Sequence, residues 1–246
     1  IPRVELLNYS TEIENICILH ELGKISKDGA LSFIKCHIDE VLYNTCMSRK
    51  TNFRIKDLSS VFQNPYKFKY FLRLFSDGDQ RIPDYIKKNK PILHFATHNL
   101  LPMSKILFEA FNEKIAFIEI LRKPIYMIKQ QFINYENHKF SNRYFHIKLN
   151  FTNKEFFHWD FPYAKNHTNY NSIDFAIQHL NYQLKKQISE IDNHLEKRTK
   201  NLLVIPFDEF VLNPKPYLSK VENLLGDKFS KKLDKILKRE KVPRKK

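Results

Sequence analysis

Glycine is scarce in this sequence. Its 246 residues include four glycines, at positions 23, 29, 78 and 226. None lies in a phosphate-cradling cluster of the G-x-x-x-x-G-K-[ST] kind. Cysteine is as sparse. Cys17, Cys36 and Cys46 form no C-x-x-C pair and no zinc spacing with histidine. That excludes a disulfide scaffold and leaves reduced, structural thiols, as in a cytoplasmic protein. No H-E-x-x-H motif is present, so no metal is expected. No apolar run reaches the length of a bilayer span, and no signal peptide is legible. With 42% hydrophobic and 28% charged residues, the chain is neither disordered nor membranous. Its length suits one α/β domain with a sizeable core. Lysine, asparagine, isoleucine, phenylalanine and tyrosine are heavily used, as in proteins of AT-rich genomes, which lowers the weight of composition as functional evidence.

What is present is a succession of short apolar runs that end in turn signals. Lys114–Leu121 is nearly all apolar, as in a parallel strand covered on both faces. Arg122-Lys123-Pro124 then turns into a helix whose first turn tolerates proline. Arg122 is therefore held at the carboxyl end of a strand beside a helix N-terminus, where α/β proteins bind ligands and where a phosphate finds both dipole and guanidinium. Pro91–Thr97 is a second run, followed by His98, Asn99 and a helix-like Leu100–Phe111. Asn201–Pro206 is a third, followed by Phe207–Phe210 and by a helix over Asn213–Gly226 with a proline-rich start and a glycine stop. Strands alternating with helices imply a parallel sheet built from βαβ units.

Residues 1–88 read as mainly helical, with apolar residues at helical intervals over Thr11–Gly23 and Ala30–Leu42. Asp57–Phe75 interleaves aromatics with basic residues, which reads as core packing interrupted at Pro65. Residues 89–226 form the α/β core, with an irregular insertion at 135–170 that is a natural place for acceptor contacts. Arg143, Trp159 and Tyr163 in that insertion, with Arg54 upstream, are the candidate acceptor-binding residues. Ile173, Ile177, Leu180, Leu184, Ile188, Ile191 and Leu195 mark one face of a long helix, expected to be core or interface. Residues 227–246 are a basic helix and tail that carries much of the net charge of +15. Such a charge fits an anionic partner, whether phosphorylated nucleotide, acidic glycan or nucleic acid. No zinc finger, helix-turn-helix or RNA-binding aromatic signature singles out nucleic acid.

The third block and the two before it resemble, in order, the motifs of PAPS-dependent sulfotransferases, particularly bacterial members acting on carbohydrates. PAPS is 3′-phosphoadenosine 5′-phosphosulfate. LRKP at 121–124 is similar to the family's strand ending in Arg-x-Pro. ATH at 96–98 is similar to its Lys-Thr-His strand end. FDEF at 207–210, NP at 213–214 and LLG at 224–226 are similar to its last block. The resemblance covers roughly residues 90–226. It implies a P-loop NTPase-like three-layer sandwich with a central parallel sheet, and PAPS as co-substrate without a metal. It implies that Arg122 grips the 3′-phosphate, with Gln130 nearby where many members carry serine. The departures are Ala96 in place of a catalytic lysine and the lack of the family's phosphate loop. The expectation is a fragment whose first strand and phosphate loop lie upstream, so that it holds part of a nucleotide site.

Sulfuryl transfer needs a base on the acceptor and cations on the bridging oxygen. His98, at a strand's carboxyl end and with a side chain that titrates near neutrality, is the candidate base. Glu5 and Glu12, nearest the expected phosphate loop, are the acidic alternatives. The expected function of the intact protein is transfer of a sulfuryl group from PAPS to an acceptor hydroxyl, on a glycan or another small molecule. Two alternatives stay open: a kinase-like phosphotransferase on the same sheet, and a non-catalytic basic binding module.

Overall fold

The computed structural model describes residues 1–76, 78–139, 147–151, 154–158 and 171–244. In chain order the elements are β1 (Val4–Tyr9), α1 (Thr11–Glu21), α2 (Lys27–Cys46), α3 (Lys67–Arg73), α4 (Ile82–Asn89), β2 (Ile92–Ala96), α5 (Lys105–Phe111), β3 (Phe117–Leu121) and α6 (Pro124–Lys139). There follow β4 (Lys148–Phe151), β5 (Lys154–Phe157), α7 (Ser172–Glu196), β6 (Leu202–Pro206), α8 (Phe207–Leu212), α9 (Lys215–Leu225) and α10 (Leu233–Arg239). The protein is mixed α/β with small parallel sheets. The three strands read from the sequence form within their expected ranges, as do the helices that follow them.

Local chemistry explains where the helices begin and end. Ser10 caps α1, its Oγ accepting from the Ile13 N–H at 3.4 Å, and Ser26 caps α2 through the Gly29 N–H at 3.1 Å. Asn171 caps α7, its side-chain oxygen accepting from the N–H groups of Ile173 and Asp174. The α9 helix starts after Pro214 with Pro216 in its first turn and stops at Gly226, whose φ of 59° is the left-handed cap that glycine adopts without strain.

Two expectations are corrected. The first concerns the N-terminus, where a helix-like start was read. Val4–Tyr9 is a strand, paired in parallel with β2 from Val4↔Ile92 to Tyr9↔Ala96. It passes through Ser10 alone into α1, so this strand carries no phosphate loop. The second concerns the sheet. Among the described residues β1 pairs with β2, and β3 pairs in parallel with β6 from Phe117↔Leu202 to Leu121↔Pro206. These are two separate two-stranded ladders, with β4 and β5 a third, antiparallel pair.

The main core lies between α1, α2 and α5, where Ile13, Cys17, Ala30, Ile34, Ile106 and Leu107 are buried and Phe117 of β3 packs against them. The long helix α7 turns a partly polar face inward. Phe175, Ala176, His179 and Leu180 are buried, whereas Ile173, Ile177, Ile188 and Leu195 of the expected apolar stripe are exposed.

A second cluster is ionic. Glu5 of β1 is 2% exposed. It receives Lys69 Nζ at 3.0 Å, Tyr70 Oη at 2.8 Å and both terminal nitrogens of Arg73 at 3.0 Å. Arg73 also donates to Tyr85 Oη at 2.7 Å and to the Thr45 carbonyl at 3.3 Å. Burial alone would push the Glu5 carboxyl up, but the Arg73 and Lys69 hydrogen bonds and charges outweigh it and hold the carboxyl below its usual range. Stability from this group is present above the ordinary glutamate range and is lost as pH falls through its lowered value. Glu5→Ala leaves a buried guanidinium unpaired and is expected to cost about 3–5 kcal/mol in chemical denaturation at pH 7; a loss under 1 kcal/mol would deny the cluster its structural role.

Candidate functional site

The carboxyl ends of β2 and β3 carry the two turns singled out in the sequence. After β2 come Thr97, His98 and Asn99, the last with a φ of 48° that asparagine tolerates better than most residues. His98 is tied to α1. Its backbone N–H donates to Glu14 Oε1 at 2.5 Å, and its ring Nδ1 lies 3.1 Å from the same oxygen. A proton on Nδ1 is the assignment that satisfies this bond, and it leaves the Nε2 lone pair free. The His98 side chain is 76% exposed and that of Glu14 is 13% exposed. The hydrogen bond to Glu14, opposed by partial burial, raises the imidazole above its ordinary range. A carboxylate that orients a ring from behind, with the far nitrogen in solvent, is the geometry of a general base with its positioning partner.

After β3, Arg122 is exposed, and its guanidinium lies 5.0 Å from the centre of the Phe207 ring at the end of β6. The aromatic face braces a cation that no carboxylate neutralises among the described residues. Lys123 lies 3.9 Å from Asp208. Pro124 then opens the 16-residue α6, whose N-terminal dipole adds positive potential to the turn. Gln130 is exposed and donates to Asn134 at 3.0 Å. It stands about 9 Å along the helix axis from Pro124, so it does not join Arg122 at the turn.

The long α7 helix brings the two turns together. Asn99 Nδ2 donates to Gln183 Oε1 at 3.3 Å. One helical turn on, Gln187 Nε2 donates to Glu119 Oε1 of β3 at 2.6 Å. One turn of helix and two residues of strand both span about 6 Å, which sets Asn99 level with Leu121. A crevice confirms the proximity, since Asn99, Pro102, Met127 of α6, Gln183 and Gln187 line it together. Its volume of about 10 Å³ suits a single water molecule and is too small for a nucleotide.

Glu119 is the group here that sequence reading missed. Burial pushes its carboxyl up to about 7, against a smaller lowering by the Gln187 hydrogen bond. A single glutamate inside an apolar strand run carried no motif. Glu14 was also missed, because a glutamate inside a helix carries no local signal of the histidine it supports. The acidic alternatives fall elsewhere. Glu5 is consumed by the buried ion cluster, a correction that follows from its four donors. Glu12 is exposed and accepts the Ser10 hydroxyl at 3.3 Å. It lies about 200° around α1 from Glu14. Arg54 pairs with Asp57 at 3.3 Å in the loop before α3. Arg143, Trp159 and Tyr163 lie outside the described residues.

Cys17 is buried, with its thiol pushed up to about 12 by burial and by Glu14, so it stays protonated and unreactive. Among the described residues no three His, Cys, Asp or Glu side chains gather as a metal site would require, and no helix is long and apolar enough to cross a membrane. Comparison with protein-family models, with curated proteins and with solved structures finds no match to this chain.

Two outcomes are expected. Glu14→Gln should return the His98 titration, followed by NMR of the ring, toward the ordinary imidazole range; an unmoved titration would remove Glu14 as its partner. Glu119 has a raised value in the folded chain, so its ionisation costs stability progressively from about pH 4.5 to 7 and fully above that. Glu119→Gln should therefore raise stability by up to about 3 kcal/mol at pH 8 and leave it nearly unchanged at pH 4.5. Calorimetric unfolding of both proteins across this range reads the difference.

Proposed function

We propose that this chain binds the 3′-phosphorylated adenine nucleotide of a sulfuryl transfer reaction and presents His98 to the acceptor hydroxyl. The observation that carries the reading is the juxtaposition at one end of the strands. An imidazole held by Glu14 shares that end with a guanidinium braced on Phe207 that no carboxylate neutralises among the described residues. The two are linked through Asn99, Gln183, Gln187 and Glu119.

Chemically, His98 Nε2 takes the acceptor proton while the acceptor oxygen bonds to sulfur. The bond from sulfur to the phosphate oxygen breaks on the opposite side. Arg122 holds the 3′-phosphate by charge-assisted, bidentate hydrogen bonds that the neutral Gln130 cannot match. PAPS is the donor that this division of labour implies, and a carbohydrate hydroxyl is the acceptor that the motif order implies. Ala96 offers no ammonium for the bridging oxygen, so that charge has to be met by groups other than the strand end of β2.

In this reading the two parallel ladders are halves of one sheet in a P-loop-like three-layer sandwich. Ile118 and Ile120, which share one face of β3, are 37% and 47% exposed. A further parallel strand between β2 and β3 would join the ladders, the helix following it would cover that face, and a phosphate loop at its carboxyl end would open toward His98 and Arg122.

Calorimetry with adenosine 3′,5′-bisphosphate and adenosine 5′-phosphate tests the assignment. The 3′-phosphate is expected to add affinity, and Arg122→Ala to remove about 1.5–3 kcal/mol of it. Equal affinities for the two nucleotides, or equal affinity of parent and variant, would overturn the reading.

A further inference from the structure

The α3 helix is inside out. Lys69, Tyr70 and Arg73 point inward to the buried Glu5. The opposite face, together with the turn beyond it, presents Phe68, Leu72 and Phe75 to solvent at 72%, 71% and 88% exposure. These positions recur at i, i+4 and i+7, the spacing of one helical face. A triangle of rings joins this face to the preceding loop, with Phe71 5.7 Å from Phe53 and 6.0 Å from Phe62. In that loop Ile55 and Leu58 are 69% and 75% exposed. The sequence reading placed Asp57–Phe75 in the core; Val61 and Tyr70 are buried there, but Leu58, Phe68, Leu72 and Phe75 join Ile55 in an exposed apolar surface of the kind that marks an interaction site.

Charge identifies the occupant. Arg54, Lys56 and Lys67 stand among the apolar side chains, with Asp57 the only acid between residues 53 and 75. The basic α10 helix lies alongside. Lys232 Nζ donates to the Pro65 carbonyl at 2.8 Å, and Arg239 donates to Gln63 Oε1 at 3.1 Å. Lys231, Lys235 and Lys238 of the same region are exposed. Protruding phenylalanine, leucine and isoleucine beside solvated lysine and arginine match a surface that is apolar beneath and anionic above. Nucleic acid offers the negative charge but no partner for the aliphatic Ile55, Leu58 and Leu72, because base stacking uses aromatic faces.

We infer that this face docks the protein on an anionic lipid bilayer, with Phe68, Leu72 and Phe75 entering the acyl boundary and the cations of the loop and α10 meeting the headgroups. The inference goes beyond the proposed nucleotide reading and stands independently of it.

Flotation with vesicles of phosphatidylcholine alone, and of equimolar phosphatidylcholine and phosphatidylglycerol, tests it. The chain should float with the anionic vesicles, weakly with the neutral ones, and less at high salt. Phe68→Asp with Phe75→Asp should lower partitioning by about tenfold or more, with thermal unfolding unchanged because both side chains are in solvent. Phe75→Trp gives a reading that does not depend on that pair: its fluorescence should be quenched by brominated acyl chains. Absence of flotation with anionic vesicles, unaltered partitioning of the aspartate pair, or an unquenched Trp at position 75 would overturn the inference. So would a dimer in sedimentation that the same pair dissociates, or nucleic-acid binding that the pair abolishes while vesicles are ignored.

Discussion

A single buried carboxylate organises the first half of this protein. Glu5 sits in a strand with no access to solvent, where an unpaired charge would cost several kcal/mol. Its two oxygens are met by an ammonium, a phenol and a bidentate guanidinium, and the guanidinium goes on to bond the last turn of α2 and the ring of Tyr85 in α4. Three helices, α2, α3 and α4, are thereby fixed around β1. The same demand decides the orientation of α3. Lys69 and Arg73 have to face inward to satisfy Glu5, so Phe68 and Leu72 are left outside. An exposed hydrophobic ridge is thus a consequence of burying an acid.

A parallel logic operates at the other end of the strands. The two ladders share no strand pairing among the described residues, yet α7 holds them in step through the side-chain amides of Gln183 and Gln187. Those amides explain why α7 turns a partly polar face inward and leaves several isoleucines in solvent. Amide hydrogen bonds specify register where apolar packing would permit sliding. They also bring a carboxyl, Glu119, into a setting that favours its protonated form, which gives the inner face of the site a proton that comes and goes near neutral pH.

In the proposed reading, the outer face of the site combines two groups with complementary tasks. Glu14 holds His98 through its backbone N–H and ring Nδ1, and the Phe207 ring lies 5.0 Å from the Arg122 guanidinium. Neither support contacts solvent chemistry directly. Each removes conformational freedom from a long or rotatable side chain before any ligand arrives, which is how rigid elements precondition a site on turns. The lack of lysine at position 96 and of a glycine-rich loop after β1 means that these residues meet only part of the charge a phosphosulfate would bring.

Much of this was legible in the sequence by itself. The apolar runs ending at Thr97, Leu121 and Pro206, the glycine stop at Gly226 and the proline entry to α6 are local signals, and local backbone chemistry sets them. They suffice to place His98 and Arg122 at strand ends. The strand Val4–Tyr9 was not legible, because Glu5 interrupts its apolar pattern and its pairing partner lies almost ninety residues away. The exposed ridge of α3, the half-exposed stripe of α7 and the roles of Glu14 and Glu119 were not legible either. Each depends on which distant side chain satisfies a buried charge or amide, and only the tertiary structure decides that, since a helical period says which residues share a face but not which face turns inward.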